Sequence, residues 1–496
     1  MVFNSVDFLI FFPIVVLLYF LLPRKCRWVW LLAASYYFYM CWNAKYAVLM
    51  AASTVITYLS GRLITRANAI ADEKKRTRLR KLWVGLSVGM NLAILCFFKY
   101  LGFLTQNLGA FLGAFGVQLR APAWDIVLPV GISFYTFQAL SYTIDVYRGE
   151  IQAEKNLFRY ALFVSFFPQL VAGPIERSSN LLTQVQQSHD FDADRVRDGL
   201  LLMLWGMVQK VVLADRLAIA VDTVFANWTQ APGWAILAAV VLFAVQIYCD
   251  FGGYSSIAIG AAQVLGFRLM DNFRQPYFSR SCGEFWRRWH ISLSSWFRDY
   301  LYIPLGGNRR GKGRKYLNVL LTFTASGLWH GARWSYVAWG AMNGVFQIIG
   351  AQTESIRKKL CSALHISRER LPWRLVQIAV TFVCIDFSWL FFRASSFRTA
   401  VKMLFFALRG GAVQGAGGVA VFGLGTAEMI VLLAGVGLLF AVDLLHEKYK
   451  SDLRPLITAQ PLPLRWLIYL VGIYIVLIFG VYGPGFSEAQ FIYFQF

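Results

Sequence analysis

The feature that most constrains this sequence is the repetition of long apolar stretches, separated by short basic runs, along its whole length. A helix needs about 20 apolar residues to cross the hydrocarbon core of a bilayer. Only 15% of the 496 residues are charged, against about 25% in a soluble domain. With a mean hydropathy of +0.53, such a chain would expose too much hydrocarbon in water. The sequence therefore predicts an all-α, polytopic membrane protein.

The candidate membrane spans cover one continuous series of apolar segments, which we interpret as a single membrane-embedded domain over residues 1–496. Several segments are short or carry charge, and we expect those to be re-entrant or interfacial. About 11 true transmembrane helices are predicted. The candidates are 8–22, 28–42, 46–60, 82–98, 126–146, 157–171, 200–220, 234–249, 316–328, 337–349, 375–392, 429–445 and 466–482. A glycine-rich stretch at 410–425 is predicted to be a loop.

Basic residues outnumber acidic ones by 48 to 26, for a formal charge of +22. Such an excess is compatible with nucleic-acid binding, but here the basic runs lie between apolar segments. That arrangement favours cytoplasmic loops facing anionic membrane lipid, without nucleic acid as a partner. The densest run, 62–81, is predicted to be cytoplasmic and the N-terminus to face outward.

Two of the five histidines lie where a polar side chain is unexpected. His330 ends an apolar stretch, LLTFTASGLWHGA at 320–332, and ionisable groups inside membrane segments usually mark a reaction or transport path. A neutral imidazole can act as a general base. Ser326 lies one helical turn earlier, where it either orients the ring or bonds back to its own helix.

His290 lies in the charged stretch CGEFWRRWHISLSSWFRDYLYIPLGG at 282–307, which we interpret as one helix ended by Pro304. Each charge costs about 2.5–3.5 kcal/mol at the centre of a lipid-facing helix. The stretch must therefore lie inside the protein, line a water-filled cavity or rest at the interface. An interfacial helix with a structural ion-pair network is the plainer alternative. No recognised ligand spacing accompanies either histidine, so no metal site is predicted.

At these residues the sequence resembles the membrane-bound O-acyltransferase (MBOAT) family, and within it the alginate O-acetylation branch. Five motifs carry the resemblance, in order and across nearly the whole chain. They are GISFYTFQALSYTIDVYRG at 131–149, FPQLVAGPIER at 167–177, FWRRWHISLSSWFRDYLYIPLGGNR at 285–309, SGLWHGA at 326–332 and GPGFSEAQFIYFQF at 483–496.

The resemblance implies a helical fold around a thin central region, with a funnel on each side of the membrane. It identifies His330 with the family's essential histidine and His290 with the second conserved polar position. We therefore predict His330 and His290 as catalytic residues. Residues expected to bind substrate or donor are Arg288, Trp329, Ser326, Asp299, Tyr254 and Asp250.

The resemblance also implies an O-acyltransferase of the bacterial plasma membrane, with no bound cofactor. Its donor substrate would be cytoplasmic acetyl-CoA and its acceptor an extracytoplasmic polysaccharide, reached through a partner acetyltransferase of the SGNH type. One departure bears on the acceptor: in FGGYSSIAIG at 251–260, Ser256 replaces a usual acidic residue and Gly252 a serine. A different acceptor is expected if that carboxylate contributes to acceptor binding.

Our mechanistic hypothesis is that His330 either deprotonates the incoming hydroxyl or transiently accepts the acetyl group. His290 and Arg288 would position the donor or stabilise the oxyanion. Alternatives are D-alanyl or other acyl transfer to teichoic acid, peptidoglycan or cellulose, an acyl or glycan transporter, and a scaffold that recruits a soluble acetyltransferase. The basic residues that follow Pro304 either meet the coenzyme A phosphates or merely fix topology.

Overall fold

The structure, a computed structural model, describes residues 1–117, 128–171, 173–412 and 418–482. The start of the predicted span at 126, part of the glycine-rich loop and the motif at 483–496 lie outside the described residues. In the described ranges, all regular structure is helical apart from one isolated bridge between Pro232 and Gly411. The prediction of an all-α membrane protein is confirmed.

Six helices of the described chain are long and apolar enough to cross a membrane. An additional apolar helix, Val6–Leu21, is shorter. The count of about 11 spans therefore stays a prediction. The six are Arg24–Ala67, Glu73–Gly113, Gly233–Leu265, Leu371–Arg393, Thr426–Tyr449 and Leu462–Phe479.

The described chain divides into two compact units, and the first comprises residues 1–200 and 258–270. Within it the long helix α2 contacts α3, α5 and α6. Its helices are α1 (Val6–Leu21), α2 (Arg24–Ala67), α3 (Glu73–Leu95), α4 (Leu101–Gly113), α5 (Ile132–Arg148), α6 (Leu157–Ser165), α7 (Phe167–Leu170) and α8 (Thr183–Val185). Helix α9 (Ala193–Met207) begins in this unit.

Helix α2 is divided by Asn43, whose φ of −160° and ψ of 112° are extended rather than helical. The predicted spans 28–42 and 46–60 lie on either side of this residue. The basic run at 62–81 is also largely helical, because α2 continues to Ala67 and α3 begins at Glu73. The Asp72 side chain accepts hydrogen bonds from the first backbone N–H groups of α3 and so caps it.

The second unit comprises residues 201–257 and 271–496, of which 413–417 and 483–496 are not described. It contains the rest of α9, most of α11 and a core rich in aromatic side chains. Its helices are α10 (Asp215–Ala226), α11 (Gly233–Leu265), α12 (Cys282–Arg288), α13 (Ile291–Phe297), α14 (Gly311–His330), α15 (Trp334–Gln352), α16 (Glu354–Ala363), α17 (Leu371–Arg393), α18 (Phe397–Leu408), α19 (Thr426–Tyr449), α20 (Arg454–Thr458) and α21 (Leu462–Phe479).

Within the described ranges, four short π-helical segments interrupt the α-helices. A π-helical turn is often found where a helix accommodates a functional side chain. Two of the segments belong to the second unit and carry charged residues: Lys210 in one, and Arg298 and Asp299 in the other. The four are Cys96–Tyr100, Ser178–Leu182, Val208–Ala214 and Arg298–Tyr302.

The prediction of one helix from 282 to Pro304 is wrong. Helices α12 and α13 are seven residues each, and the backbone leaves helical geometry at Trp289 and His290 between them. A preceding loop supplies the hydrogen bonds that the helix would otherwise have made. The N–H of Arg274 donates to the carbonyl of Arg288 at 3.0 Å, and the N–H of Ile291 donates to the carbonyl of Asn272 at 2.9 Å.

Candidate functional site

The two histidines singled out from the sequence lie side by side in the second unit. Their ring centroids are 6.4 Å apart, although 40 residues separate them along the chain. His290 is 1% exposed and His330 is 4% exposed. His330 is the last residue of α14, and His290 precedes α13. The structure therefore brings together two buried imidazoles, one at the end of α14 and one in the break between α12 and α13.

Aromatic rings surround this pair, and we call Phe251, Trp329, Trp339 and Phe392 the aromatic cage. His330 contacts Trp329, Trp339 and Phe392 at centroid distances of 5.0, 5.1 and 5.5 Å. Phe251 of α11 meets the edge of His290 at 4.6 Å, and Trp329 also lies 6.1 Å from that ring. The cage limits the room beside both imidazoles and removes them from bulk water.

The position of His330 depends on how closely α14 approaches α15. A Cβ atom added to Gly327 would lie 2.2 Å from the carbonyl oxygen of Tyr336, so only glycine fits there. A Cβ at Gly331 would likewise lie 2.2 Å from the Tyr336 ring. Small residues at a helix crossing allow this close backbone contact. The glycine after His330 therefore has a packing role that holds the end of α14 against α15.

His290 adopts a left-handed backbone conformation, with φ of 44° and ψ of 55°. This region disfavours most side chains, and such strain persists only where surrounding contacts enforce it. Here the enforcing contacts come from Asn272, which is 1% exposed. Its side-chain oxygen accepts from Ser292 Oγ at 2.6 Å, and its Nδ2 donates to Ser255 Oγ at 3.0 Å. The network holds the backbone that follows His290 in place.

His290 lies outside the six candidate spans, between two helices too short to cross a membrane. Burial lowers the pKa of His290 to about 3, because the imidazolium form would lose its hydration. The ring is accordingly neutral at physiological pH. A neutral imidazole offers one N–H donor and one acceptor nitrogen.

Arg288 has two carboxylate partners. It pairs with Glu284 at 2.7 Å within α12 and with Glu447 of α19 at 2.7 Å. All three side chains are about one-fifth exposed. This ion-pair network attaches α12 to α19, and a role for Arg288 in donor binding stays a prediction.

The remaining predicted residues occupy different surroundings. Ser326 is buried one turn before His330 in α14, as predicted, and Tyr254 is buried one turn after Phe251 in α11. Asp299 lies in the π-helical segment Arg298–Tyr302, where its carboxylate pairs with Arg298 at 2.7 Å.

Asp250 belongs to a separate buried cluster, which we call the lysine triad: Lys210, Asp215 and Asp250. Lys210 Nζ lies 2.8 Å from Asp215 and 2.7 Å from Asp250, and all three side chains are at most 3% exposed. Lys210 comes from the π-helical segment Val208–Ala214. Lys210 and Asp215 were not predicted as functional residues. A Lys and an Asp within the predicted span 200–220 nevertheless indicate a polar site, because charged groups are rare in such segments.

Sequence reasoning also missed Trp339, Asn272 and Glu447. Trp339 lies in the predicted span 337–349, and nothing distinguishes it there because tryptophan is common in apolar segments. Asn272 and Glu447 act through contacts with residues far away in sequence, which no local spacing indicates. The described residues hold no group of three or more His, Cys, Asp or Glu side chains placed to bind a metal ion.

Comparison with known proteins gives a consistent result. A sequence model of the membrane-bound O-acyltransferase family matches residues 150–392, a range that includes both histidines. The chain is 41% identical over 404 residues to the probable alginate O-acetylase AlgI of Pseudomonas putida, covering 81% of this chain and 79% of that protein. It is 32% identical to the peptidoglycan O-acetyltransferase of Helicobacter pylori, over 82% of this chain and 79% of that protein.

A more distant similarity covers less than half of the chain. The teichoic acid D-alanyltransferase of Streptococcus thermophilus is 29% identical over 239 residues, which are 44% of this chain and 56% of that protein. Two of these relatives are named for transfer of acetyl and the third for transfer of D-alanyl. Their named acceptors all differ, while acyl transfer is common to the three.

Proposed function

The chain belongs to the membrane-bound O-acyltransferase family, and from that premise we propose that it transfers acetyl from cytoplasmic acetyl-CoA toward an extracytoplasmic polysaccharide. It is a multi-pass membrane O-acyltransferase. Beyond this class of enzyme, we propose the acetyl donor, the polysaccharide acceptor and the residues that react. The similarity over 81% of the chain to a probable alginate O-acetylase supports acetyl as the transferred group and a polysaccharide as the acceptor.

One observation carries the assignment of the site: His290 and His330 lie 6.4 Å apart inside the aromatic cage. Buried ionisable groups in a membrane protein are rare and usually functional. Two of them in contact with the same tryptophan, Trp329, are placed to act on one small group. The closeness of the pair favours an enzyme over a scaffold, because a scaffold needs no buried pair of bases.

In the proposed reaction His330 acts as the general base. It takes the proton from the acceptor hydroxyl, whose oxygen then attacks the thioester carbonyl carbon. The carbon–sulfur bond breaks, and the leaving thiolate receives the proton from His330. General base catalysis contributes about 10²–10⁴-fold in rate. His290, held neutral and fixed by its strained backbone, orients the donor or acceptor through a hydrogen bond. Transfer through an acetyl-His330 intermediate uses the same residues.

The donor is proposed to bind from the side of the basic residues at the start of α14. Helix α14 has 20 residues and is therefore about 30 Å long, with His330 at its far end. Cationic side chains at its first end are exposed and suited to phosphate groups. The alternative is that they serve only to fix topology. They are Arg309, Arg310, Lys312 and Arg314.

The test uses purified protein in lipid nanodiscs, with radiolabelled acetyl-CoA, the proposed partner acetyltransferase and a soluble glycan acceptor. His330→Asn should lower the rate of acetyl transfer by at least about 100-fold. The matched control is His365→Asn, because His365 is exposed and Asn tolerates its positive φ of 52°. The control should keep normal activity. Normal transfer by His330→Asn would overturn the assignment and favour a scaffold or transporter.

The acceptor and partner need a cellular test. We propose that the protein acts in a bacterial plasma membrane and passes acetyl to a partner acetyltransferase of the SGNH type. Peptidoglycan is the second candidate acceptor, favoured by the similarity over 82% of the chain to a peptidoglycan O-acetyltransferase. Deleting the gene should remove base-labile acetate from one fraction only, exopolysaccharide or peptidoglycan. Loss from peptidoglycan alone would overturn the polysaccharide assignment.

A further inference from the structure

Trp339 of α15 carries a hydrogen-bond donor that the described residues leave unused. The side chain is 1% exposed, and its Nε1–H has no hydrogen-bond partner among those residues. Buried polar groups in folded proteins nearly always have a partner, so an exception calls for an explanation. The neighbouring Trp286 shows the usual case, because its Nε1–H donates to Asn343 Oδ1 at 3.2 Å.

The indole ring that carries this donor lies beside the candidate catalytic histidine. The Trp339 indole stands nearly perpendicular to the His330 ring, at 89° and a centroid distance of 5.1 Å. Phe392 packs against both rings, 5.5 Å from His330 and 4.9 Å from Trp339. A small acyl group that rests against His330 is therefore next to the indole of Trp339.

We propose that the Trp339 Nε1–H donates a hydrogen bond to the carbonyl oxygen of the acyl group at His330 and stabilises the negative charge that develops there. This assignment rests on the proposed function. As the acceptor oxygen bonds to the carbonyl carbon, the carbonyl electron pair moves onto its oxygen, and the hydroxyl proton moves to His330. When the carbonyl re-forms, the carbon–sulfur bond breaks, and the thiolate takes the proton from His330.

The chemistry of indole suits this role. Its N–H donates a hydrogen bond and accepts none, so it does not compete with His330 for the acceptor proton. It is also uncharged, which avoids the cost of placing a cation in the aromatic cage. Three rings together hold the indole of Trp339, so no single one fixes it: Trp286, Trp389 and Phe392 have their centroids 5.6, 5.6 and 4.9 Å from its own. A donor already in place needs no reorganisation when the oxyanion forms.

The first test is Trp339→Phe, which removes the N–H and keeps an aromatic ring. We expect kcat for acetyl transfer to fall about 10²–10³-fold, the loss typical of one oxyanion donor, with KM for acetyl-CoA changed less than about threefold. The matched control is Trp389→Phe, which shortens the stacked partner. It should keep kcat within about fivefold of wild type. Equal losses of kcat in both variants would mean that Trp339 serves packing only and would overturn the proposal.

A binding measurement distinguishes a hydrogen bond from a packing role, because it compares the affinities for two analogues that differ in the carbonyl group. The ketone analogue, in which a methylene replaces the thioester sulfur of acetyl-CoA, keeps the carbonyl, whereas S-ethyl-CoA lacks it. Trp339→Phe should weaken binding of the ketone measurably, but by no more than the limit of about threefold set for KM, and leave that of S-ethyl-CoA unchanged, which also verifies that the variant is folded. Equal affinities of the variant and the wild type for the ketone would count against the hydrogen bond.

The outcomes separate this inference from the proposed function. A wild-type protein that transfers no acetyl from acetyl-CoA overturns the proposed function and the role of Trp339 with it. An active wild type together with a fully active Trp339→Phe variant overturns only the role of Trp339.

Discussion

At the scale of single residues, His290 is held in a backbone conformation that few side chains tolerate. Its φ of 44° disfavours β-branched residues most, whereas Asn is enriched in this region. We expect His290→Val to be less stable than His290→Asn by about 1–2 kcal/mol, the typical cost of the left-handed conformation. Thermal unfolding of both variants in the same detergent measures the difference. Equal melting temperatures would show that the backbone relaxes there at no cost.

Glu176, in the FPQLVAGPIER motif, is a second residue with a testable environment. It is fully buried in the first unit and accepts hydrogen bonds from Asn180 and from the backbone N–H of Met270. Burial raises the pKa of Glu176 from about 4.5 to about 7, against the opposing effect of these hydrogen bonds. The folded protein therefore keeps a proton that the unfolded chain loses.

The direction in which stability changes with pH follows from the number of protons that the folded and unfolded states bind. Between about pH 5 and pH 7 the unfolded chain binds fewer protons than the folded protein, so stability falls as pH rises. The contribution is fully lost above the folded pKa of about 7 and amounts to about 3 kcal/mol at most. Glu176→Gln should flatten this part of the curve of melting temperature against pH. If the melting temperature of the variant changed with pH as steeply as that of the wild type, a group other than Glu176 would be responsible for the pH dependence.

How far the sequence predicts single residues depends on what each one contacts. His330, His290 and Ser326 could be predicted because polar residues in or beside apolar segments stand out in the sequence itself. Trp339 was not, since a tryptophan in an apolar helix is ordinary, and only the fold shows that its ring lies next to His330 and that its N–H has no partner among the described residues. The partners of Asn272 and Glu447 lie far along the chain, and only the fold reveals them.

At the scale of secondary-structure elements, the lysine triad joins the π-helical segment Val208–Ala214 to helix α11. Lys210→Met would leave the carboxylates of Asp215 and Asp250 buried without their cation. Removing one partner of a buried ion pair costs about 3–5 kcal/mol. We expect a correspondingly lower melting temperature or poor yield of folded protein.

Two variants make the lysine prediction specific. Lys312→Met, at an exposed position, should unfold like wild type. Adding Asp250→Asn to Lys210→Met should restore part of the lost stability, because one buried charge is then removed. A single Lys210→Met variant as stable as Lys312→Met would refute the idea that the triad supports the packing of α11.

The elements themselves were predictable to different degrees. Apolar length located most long helices, and the two predicted spans around Asn43 correspond to the two parts of α2. The break between α12 and α13 was missed, because it depends on hydrogen bonds to the loop at 272–274. Helical spacing alone could not reveal those bonds. The misjudged segment is the one that carries His290.

At the scale of the whole molecule, the positive charge makes a prediction about orientation in the membrane. Basic residues concentrate on the cytoplasmic side, and the run at 62–81 surrounds the turn between α2 and α3. A variant with Ala69→Cys as its only cysteine should react with an impermeant maleimide in inside-out vesicles and not in intact spheroplasts. The opposite pattern would reverse the predicted topology.

The salt bridge between Arg288 and Glu447 has a consequence for how the protein is made. The two residues are 159 positions apart, so α12 leaves the ribosome well before α19 has been translated. Until then Arg288 has Glu284 from its own helix but lacks Glu447. The insertion machinery therefore has to accommodate the segment that carries His290 while one of its carboxylate partners is still missing. Nascent chains released before Glu447 would be natural substrates for membrane proteases.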